Sequence, residues 1–356
     1  MTTLPLDTAL LYRSIPKVEL HVHLEGACEL QTVMATAKER QIPLPFDDTE
    51  KFQNLVSLSG PQSSLENYLK PLITTVDIVG GSSKAIEMLA YNFLKTSHEA
   101  GVMYSELRFS PIWLSYSQFA QITYDEVVDA VASGLDRGKK DFGVEYNMII
   151  CLLYTKPEHS AEMVDLALRY RNKGVAGIDI CGGEWLPLHQ LHIDAFKKAK
   201  ELGLNITVHA GEAGPAANIK RAIEVLGADR IGHGYTMVKD EEVLAMAKKL
   251  NVHFETSPIS SIYTGCEKMG EPHAIQKYSD NGVNFSINSD DPCVMRKTLT
   301  DNYVMASDVL GLDYKQIKQC VLNAVDAAFL SDDKRASLKE KILQKFTEVE
   351  SQYNIN

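Results

Sequence analysis

The chain has 356 residues, 45% of them apolar and 23% charged, and a net charge of −11. These are the values of a globular chain with ample material for a core, and the acidic balance excludes a nucleic-acid scaffold with a basic face or one drawn to an anionic membrane. No uncharged apolar run approaches the roughly 18 residues of a membrane helix and the first residues lack a basic-then-apolar signal, so a cytoplasmic protein with neither membrane nor nucleic acid as partner is expected.

In chain order, short β-branched runs at 18–24, 102–109, 144–153, 175–182, 206–209, 230–234, 252–257 and 283–288 predict eight strands. Helical patterns lie between them at 84–100, 124–141, 160–172, 193–202, 219–226 and 240–250. Strands alternating with helices imply parallel βαβ units. Eight such units fit a closed (β/α)8 TIM barrel of the α/β class, usually ~250 residues before insertions. The chain is therefore read as one barrel domain, although ~150 residues per domain suggests two. The surplus falls in a lid-like insertion at 41–82 and in C-terminal helices over 298–350. In the insertion Leu65, Tyr68, Leu69 and Leu72 have helical spacing, which fits a lid over the barrel mouth or plain core packing. The six cysteines are irregularly spaced and read as free thiols. Pro292-Cys293 lacks the second cysteine of a cytidine-deaminase motif, and His98-Glu99 lacks the second histidine of a zinc-protease helix.

The first strand alternates Val18, Leu20, Val22 and Leu24 with Glu19, His21, His23 and Glu25. That puts the apolar set toward the helices and the titratable set inside the barrel. Two histidines at i and i+2 can share a metal ion or form a hydrogen-bonded core pair. The fifth strand points Thr207 and His209 inward, with Glu212 after a turn at Gly211. The sixth ends Gly232-His233-Gly234, where flanking glycines suggest close approach to something bound. The eighth points Ser286, Asn288 and Asp290 inward, and Asp291-Pro292 alone would read as a helix N-cap. Together these groups fall at the C-terminal ends of barrel strands, where barrel active sites lie. His21, His23, His209 and Asp290 make a three-imidazole, one-carboxylate set suited to one zinc ion and a water. Glu212, His233 and Asp291 remain for proton transfer and orientation.

The chain resembles the adenosine deaminase family of metal-dependent amidohydrolases. The resemblance rests on 17–24 (Lys-Val-Glu-Leu-His-Val-His-Leu), 104–111 (Tyr-Ser-Glu-Leu-Arg-Phe-Ser-Pro), 207–212 (Thr-Val-His-Ala-Gly-Glu), 230–235 (Arg-Ile-Gly-His-Gly-Tyr) and 286–292 (Ser-Ile-Asn-Ser-Asp-Asp-Pro). The stretch 257–265 (Ser-Pro-Ile-Ser-Ser-Ile-Tyr-Thr-Gly) is similar to the animal-type branch. The resemblance implies His21, His23, His209 and Asp290 as zinc ligands and Glu212 as the acid that protonates ring nitrogen 1 of the purine. It implies His233 as the group orienting the attacking hydroxide, Asp291 as a contact to that water and to ring nitrogen 7, and the Gly182 amide as a contact to ring nitrogen 3. The implied reaction converts adenosine or 2′-deoxyadenosine to the inosine product and ammonia, in purine salvage. The implied partner is a small purine nucleoside bound by a monomer, and 58–72 aligns with the family's apolar gate. One departure is Glu25, where adenosine enzymes have Asp against the ribose 5′-hydroxyl. His-Leu-Glu-Gly is also how adenine deaminases read, although those carry Asp where this chain has Gly232. Adenine and other 6-amino purine nucleosides are therefore alternative substrates. The fourth strand has no lysine to bridge two metals, so a single ion is expected.

Overall fold

The computed structural model describes residues 7–43 and 48–355. Eight strands run in chain order around one sheet: β1 Lys17–His23, β2 Val102–Phe109, β3 Glu145–Leu153, β4 Val175–Cys181, β5 Asn205–Ala210, β6 Arg230–His233, β7 His253–Thr256 and β8 Asn284–Ile287. Every neighbouring pair is parallel. The ring closes between β8 and β1 through a parallel bridge from Val22 to Asp290. The His23 amide donates to the Asp290 carbonyl at 2.9 Å, and the Asp290 amide to that of His21 at 3.1 Å. Lower in the seam the Asn288 side chain stands in for the ladder, accepting from the amides of Leu20 and His21 at 2.8 and 3.2 Å. This is the expected TIM barrel.

Alternation builds it as the strand pattern requires. Val18, Leu20, Val22 and Leu24 are fully buried in the apolar shell between strands and helices. The helices carry their own start and stop signals. Tyr124–Phe142 opens on a Thr123/Glu126 capping box and stops at Gly143, whose φ of 74° suits a residue without Cβ. The helices not foreseen include Thr8–Ser14, Leu30–Glu39, Pro258–Tyr263 and Ala274–Asn281, and the C-terminal stretch opens on an α-helix, Leu299–Val304, that passes into a π turn, Met305–Val309.

The insertion folds as Thr49–Val56 and Leu65–Val79. Leu58, Leu65, Tyr68 and Leu72 pack on Ile259, Val294 and Met295 in a small cluster of their own over the barrel mouth. The helix face is thus packed. All six cysteines are free, and no described helix is long and apolar enough to cross a membrane.

The lumen is ionic rather than apolar. Arg230 bridges Glu106 and Glu255 at 2.6 Å each, and Arg108 bridges Glu255 at 2.5 Å and Asp179 at 2.7 Å. Unpaired, such buried charges would each cost several kcal/mol; here each guanidinium spans two carboxylates.

Candidate active site

Closure of the barrel at β8–β1 assembles the candidate site. His21 and His23 reach its mouth from β1, His209 from β5, and Asp290 from the turn after β8. His23 Nε2 lies 3.2 Å from His209 Nε2. Asp290 Oδ1 lies 3.2 Å from His21 Nε2 and 3.5 Å from His23 Nε2. These spacings match the roughly 3.3 Å edge of a tetrahedron whose metal–nitrogen bonds are ~2.0–2.1 Å.

The far side of the rings sets their protonation. His21 Nδ1 meets Glu255 Oε2 at 2.8 Å, and His209 Nδ1 meets Asp179 Oδ2 at 2.9 Å. A carboxylate only accepts, so Nδ1 carries the proton and Nε2 is left with its lone pair facing the cluster. His21 Nε2 is buried and has no hydrogen-bond partner among the described residues. Ser260 donates to Asp290 Oδ2 at 2.6 Å, leaving Oδ1 for the cluster. Burial opposes a charge on Asp290, but the His21 ring against it and the imidazoles of His233 and His23 hold it well below the usual carboxylate range. Burial and Arg108 act against a charge on His21, yet Asp290 and Glu255 outweigh them and raise its pKa. The same field attracts a cation. These four residues form a group able to hold a metal ion.

Glu212, His233 and Asp291 line the same space. Burial, then the charges of Asp290, Glu184 and Asp291, push Glu212 well above the usual carboxylate range. Burial, then His21, pushes His233 well down, so its imidazole is neutral. His233 Nε2 lies 3.8 Å from Glu212 Oε1. Asp291, raised by burial and by Asp290, accepts from the Tyr68 hydroxyl of the insertion at 2.9 Å. It does occupy the N-cap position of Pro292–Met295, but its side chain makes no capping bond. His233 and Asp290 sit at φ of 67° and 65°, left-handed conformations that cost a non-glycine residue of order 1–3 kcal/mol. Surrounding structure must impose both.

Gly182 lies past β4 at a φ of 65°, and nothing described stands within 4 Å of where its Cβ would project. Glu25 Oε1 accepts from the Ser110 amide at 2.7 Å. Its Oε2 is buried without a partner among the described residues, and burial raises the carboxyl to about 7. The glycines around His233 need a correction. A Cβ at Gly232 would meet His21 Cε1 at 2.8 Å, and one at Gly234 would meet Phe254 at 2.3 Å. They admit the protein's own rings rather than a bound molecule. Gly26, passed over in the sequence, has that role for Asp291: its Cβ would fall 1.7 Å from Asp291 Oδ1.

The sequence reading also missed the supporting carboxylates. Glu184 is buried and accepts from the amides of Gly211, Glu212, Ala213 and Gly214 at 2.5 to 3.0 Å, holding the turn that presents Glu212. Asp179 and Glu255 fix His209 and His21. The available signal was a lone carboxylate within a strand, in Ile178-Asp179-Ile180 and Phe254-Glu255-Thr256.

Fold and site define a class: a TIM barrel with a candidate metal centre at the C-terminal ends of its strands. The family profile described as adenosine deaminase matches residues 16–345. The chain is 34% identical over 343 residues to the adenosine deaminase of Rattus norvegicus, covering 93% of this chain and 97% of that protein. The chain belongs to the adenosine deaminase family. Its fold matches that of an amidohydrolase from Burkholderia ambifaria with bound Zn, at a TM-score of 0.88 and 23% identity over 100% of this chain and 97% of that one. It also matches the adenine deaminase of Arthrobacter aurescens, at a TM-score of 0.85 and 24% identity over 94% and 99%.

Proposed function

We propose that the protein is a hydrolytic 6-aminopurine deaminase, converting adenosine and 2′-deoxyadenosine with water to the 6-oxo product and ammonia. The observation that carries the reading is a buried Glu212, its carboxyl pushed up by burial and by Asp290, beside four convergent residues able to ligate a metal. His21, His23, His209 and Asp290 would hold one zinc ion, and the lumen suits a dication. Glu106, Glu255, Asp179 and Asp290 set four carboxylates against the two guanidiniums of Arg108 and Arg230. Bound there, zinc would supply Lewis acidity, bringing the pKa of a water from 15.7 toward ~7.

The chain's own residues do the rest. Glu212 gives its proton to ring nitrogen 1, which makes carbon 6 electrophilic. Neutral His233 orients the adding water, and Asp291 aligns that water and meets ring nitrogen 7. The Gly182 amide meets ring nitrogen 3. The helix Leu65–Val79 covers the site through Tyr68 and excludes bulk water. Adenine is the second reading, favoured by Glu25, whose unpartnered Oε2 sits where adenosine enzymes carry a shorter Asp.

Glu212→Gln tests the proposal. It keeps the metal and loses turnover by ~10²-fold or more, because general acid catalysis is gone. An undiminished rate rejects the role. Comparing adenosine with adenine on wild type and Glu25→Asp separates the substrates: the shorter acid raises the preference for nucleoside, and an unaltered ratio removes Glu25 from that contact.

A further inference from the structure

Beside the candidate centre lie two thiols that the proposed reaction does not use. Cys151 on β3 and Cys181 at the end of β4 are buried and lie within hydrogen-bonding reach of each other, with further contacts of 3.8 Å from Cys151 to Asp179 Oδ2 and 3.8 Å from Cys181 to the Leu152 carbonyl. Both sulfurs and a ring nitrogen of His23 lie within 4.8 Å of one another. Leu153, Ile112 and Trp113 wall them with apolar surface.

Strand register decides between two chemistries. Cys151 stands opposite Asp179, and Cys181 opposite Leu153. The two cysteines are thus two residues out of step on neighbouring strands. With ~3.3 Å per residue and ~4.8 Å between strands, their Cα atoms are roughly 8 Å apart. A disulfide spans at most ~7 Å without backbone movement. A metal ion between the sulfurs needs no such approach, since metal–sulfur bonds of ~2.3 Å allow sulfurs up to ~4.6 Å apart. Two thiolates are soft donors and an imidazole a borderline one, a set that takes thiophilic ions, and three donors without a fourth suit Cu(I).

We infer that Cys151, Cys181 and His23 form a second, thiophilic metal site that takes Cu(I). On binding, two S–H bonds are replaced by two S–Cu bonds, two protons pass to solvent, and no electron is transferred. His23 belongs to both groups, so filling the soft site takes or constrains one ring of the proposed zinc set and stops turnover. The loss of turnover rests on the proposed function; the binding does not.

The test titrates zinc-loaded protein anaerobically with Cu(I) against a chromophoric Cu(I) chelator. One tightly held equivalent is expected, with an ultraviolet thiolate-to-copper charge-transfer band and loss of deaminase rate. Cys181→Ala, and separately Cys151→Ser, should weaken that equivalent by more than ~100-fold, beyond the usual effect of an outer partner, and abolish the band. Both should retain zinc and the copper-free rate. Copper bound equally by wild type and both variants places it on other cysteines and overturns the proposal, as does the absence of a tight equivalent in the wild type. A band that appears while turnover persists keeps the site and removes its coupling through His23. A band in a protein that shows no deamination at all counts against the proposed function alone.

Discussion

Replacing Asp179 by Asn tests how the candidate centre is held. Asp179 is fully buried; Arg108 donates to its Oδ2 at 2.7 Å and the Ile180 amide to its Oδ1 at 2.7 Å, while His209 Nδ1 lies 2.9 Å from Oδ2 and makes its hydrogen bond to Oδ1 at 3.1 Å. Burial opposes its ionisation, but His209 and Arg108 hold it well below the usual carboxylate range. Asparagine keeps one acceptor oxygen. If its amide group faces Arg108, a buried pair is broken, which costs about 3–5 kcal/mol. If it faces His209 instead, the Ile180 amide loses its acceptor at about 1–3 kcal/mol, Nδ1 must accept, and the ring proton moves to Nε2. That atom points at His23 and can no longer ligate. The second arrangement costs less, so metal affinity bears the change, by about 10–100-fold, or about 1.4–2.8 kcal/mol. Arg108 keeps Glu255 and the Leu20 carbonyl, so the fold survives. The assay is competition for zinc against a chromophoric chelator, with circular dichroism to confirm folding. A folded variant with wild-type zinc affinity would refute the tautomer argument.

Glu184→Gln removes the charge that four amides share and that raises Glu212, so kcat falls by ~10–100-fold and the basic limb of the rate–pH profile moves to lower pH. A slower variant with an unmoved limb would reduce Glu184 to a structural role. Glu25 binds a proton more tightly folded, at about 7, than unfolded, at its ordinary 4.5. Its contribution to stability is therefore lost as pH rises through that window. Glu25→Gln should match wild type near about pH 4 and exceed it by about 3 kcal/mol near about pH 8, at ~1.4 kcal/mol per unit; denaturant curves with a constant difference contradict this. Chelation of the metal should abolish turnover and lower the unfolding midpoint, and zinc at 100 times Kd should return about 2.7 kcal/mol. Full activity in chelator-treated, metal-free protein argues against a metal centre.

The barrel was legible because period-two alternation is local: Val18 to Glu25 sort into two faces without knowledge of any other strand. The proposed metal set was legible for the same reason, since each member lies near the C-terminal end of a strand and all such ends share one rim. Support for that set was not. Asp179, Glu184 and Glu255 are single charges whose partners, His209, the 211–214 turn and His21, meet them only when the ring closes. Gly26 and Gly232 were opaque because a missing Cβ has meaning only once Asp291 and the His21 ring stand beside it. Tyr68 read as one apolar member of a helix face, and its hydroxyl found Asp291 across 223 residues of sequence.

The most direct test of the account is the fate of adenosine with zinc-loaded protein. The ultraviolet spectrum should change from 6-amino to 6-oxo purine with one ammonia released per purine converted. A metal-replete, folded protein that releases no ammonia from adenosine, 2′-deoxyadenosine or adenine would contradict it.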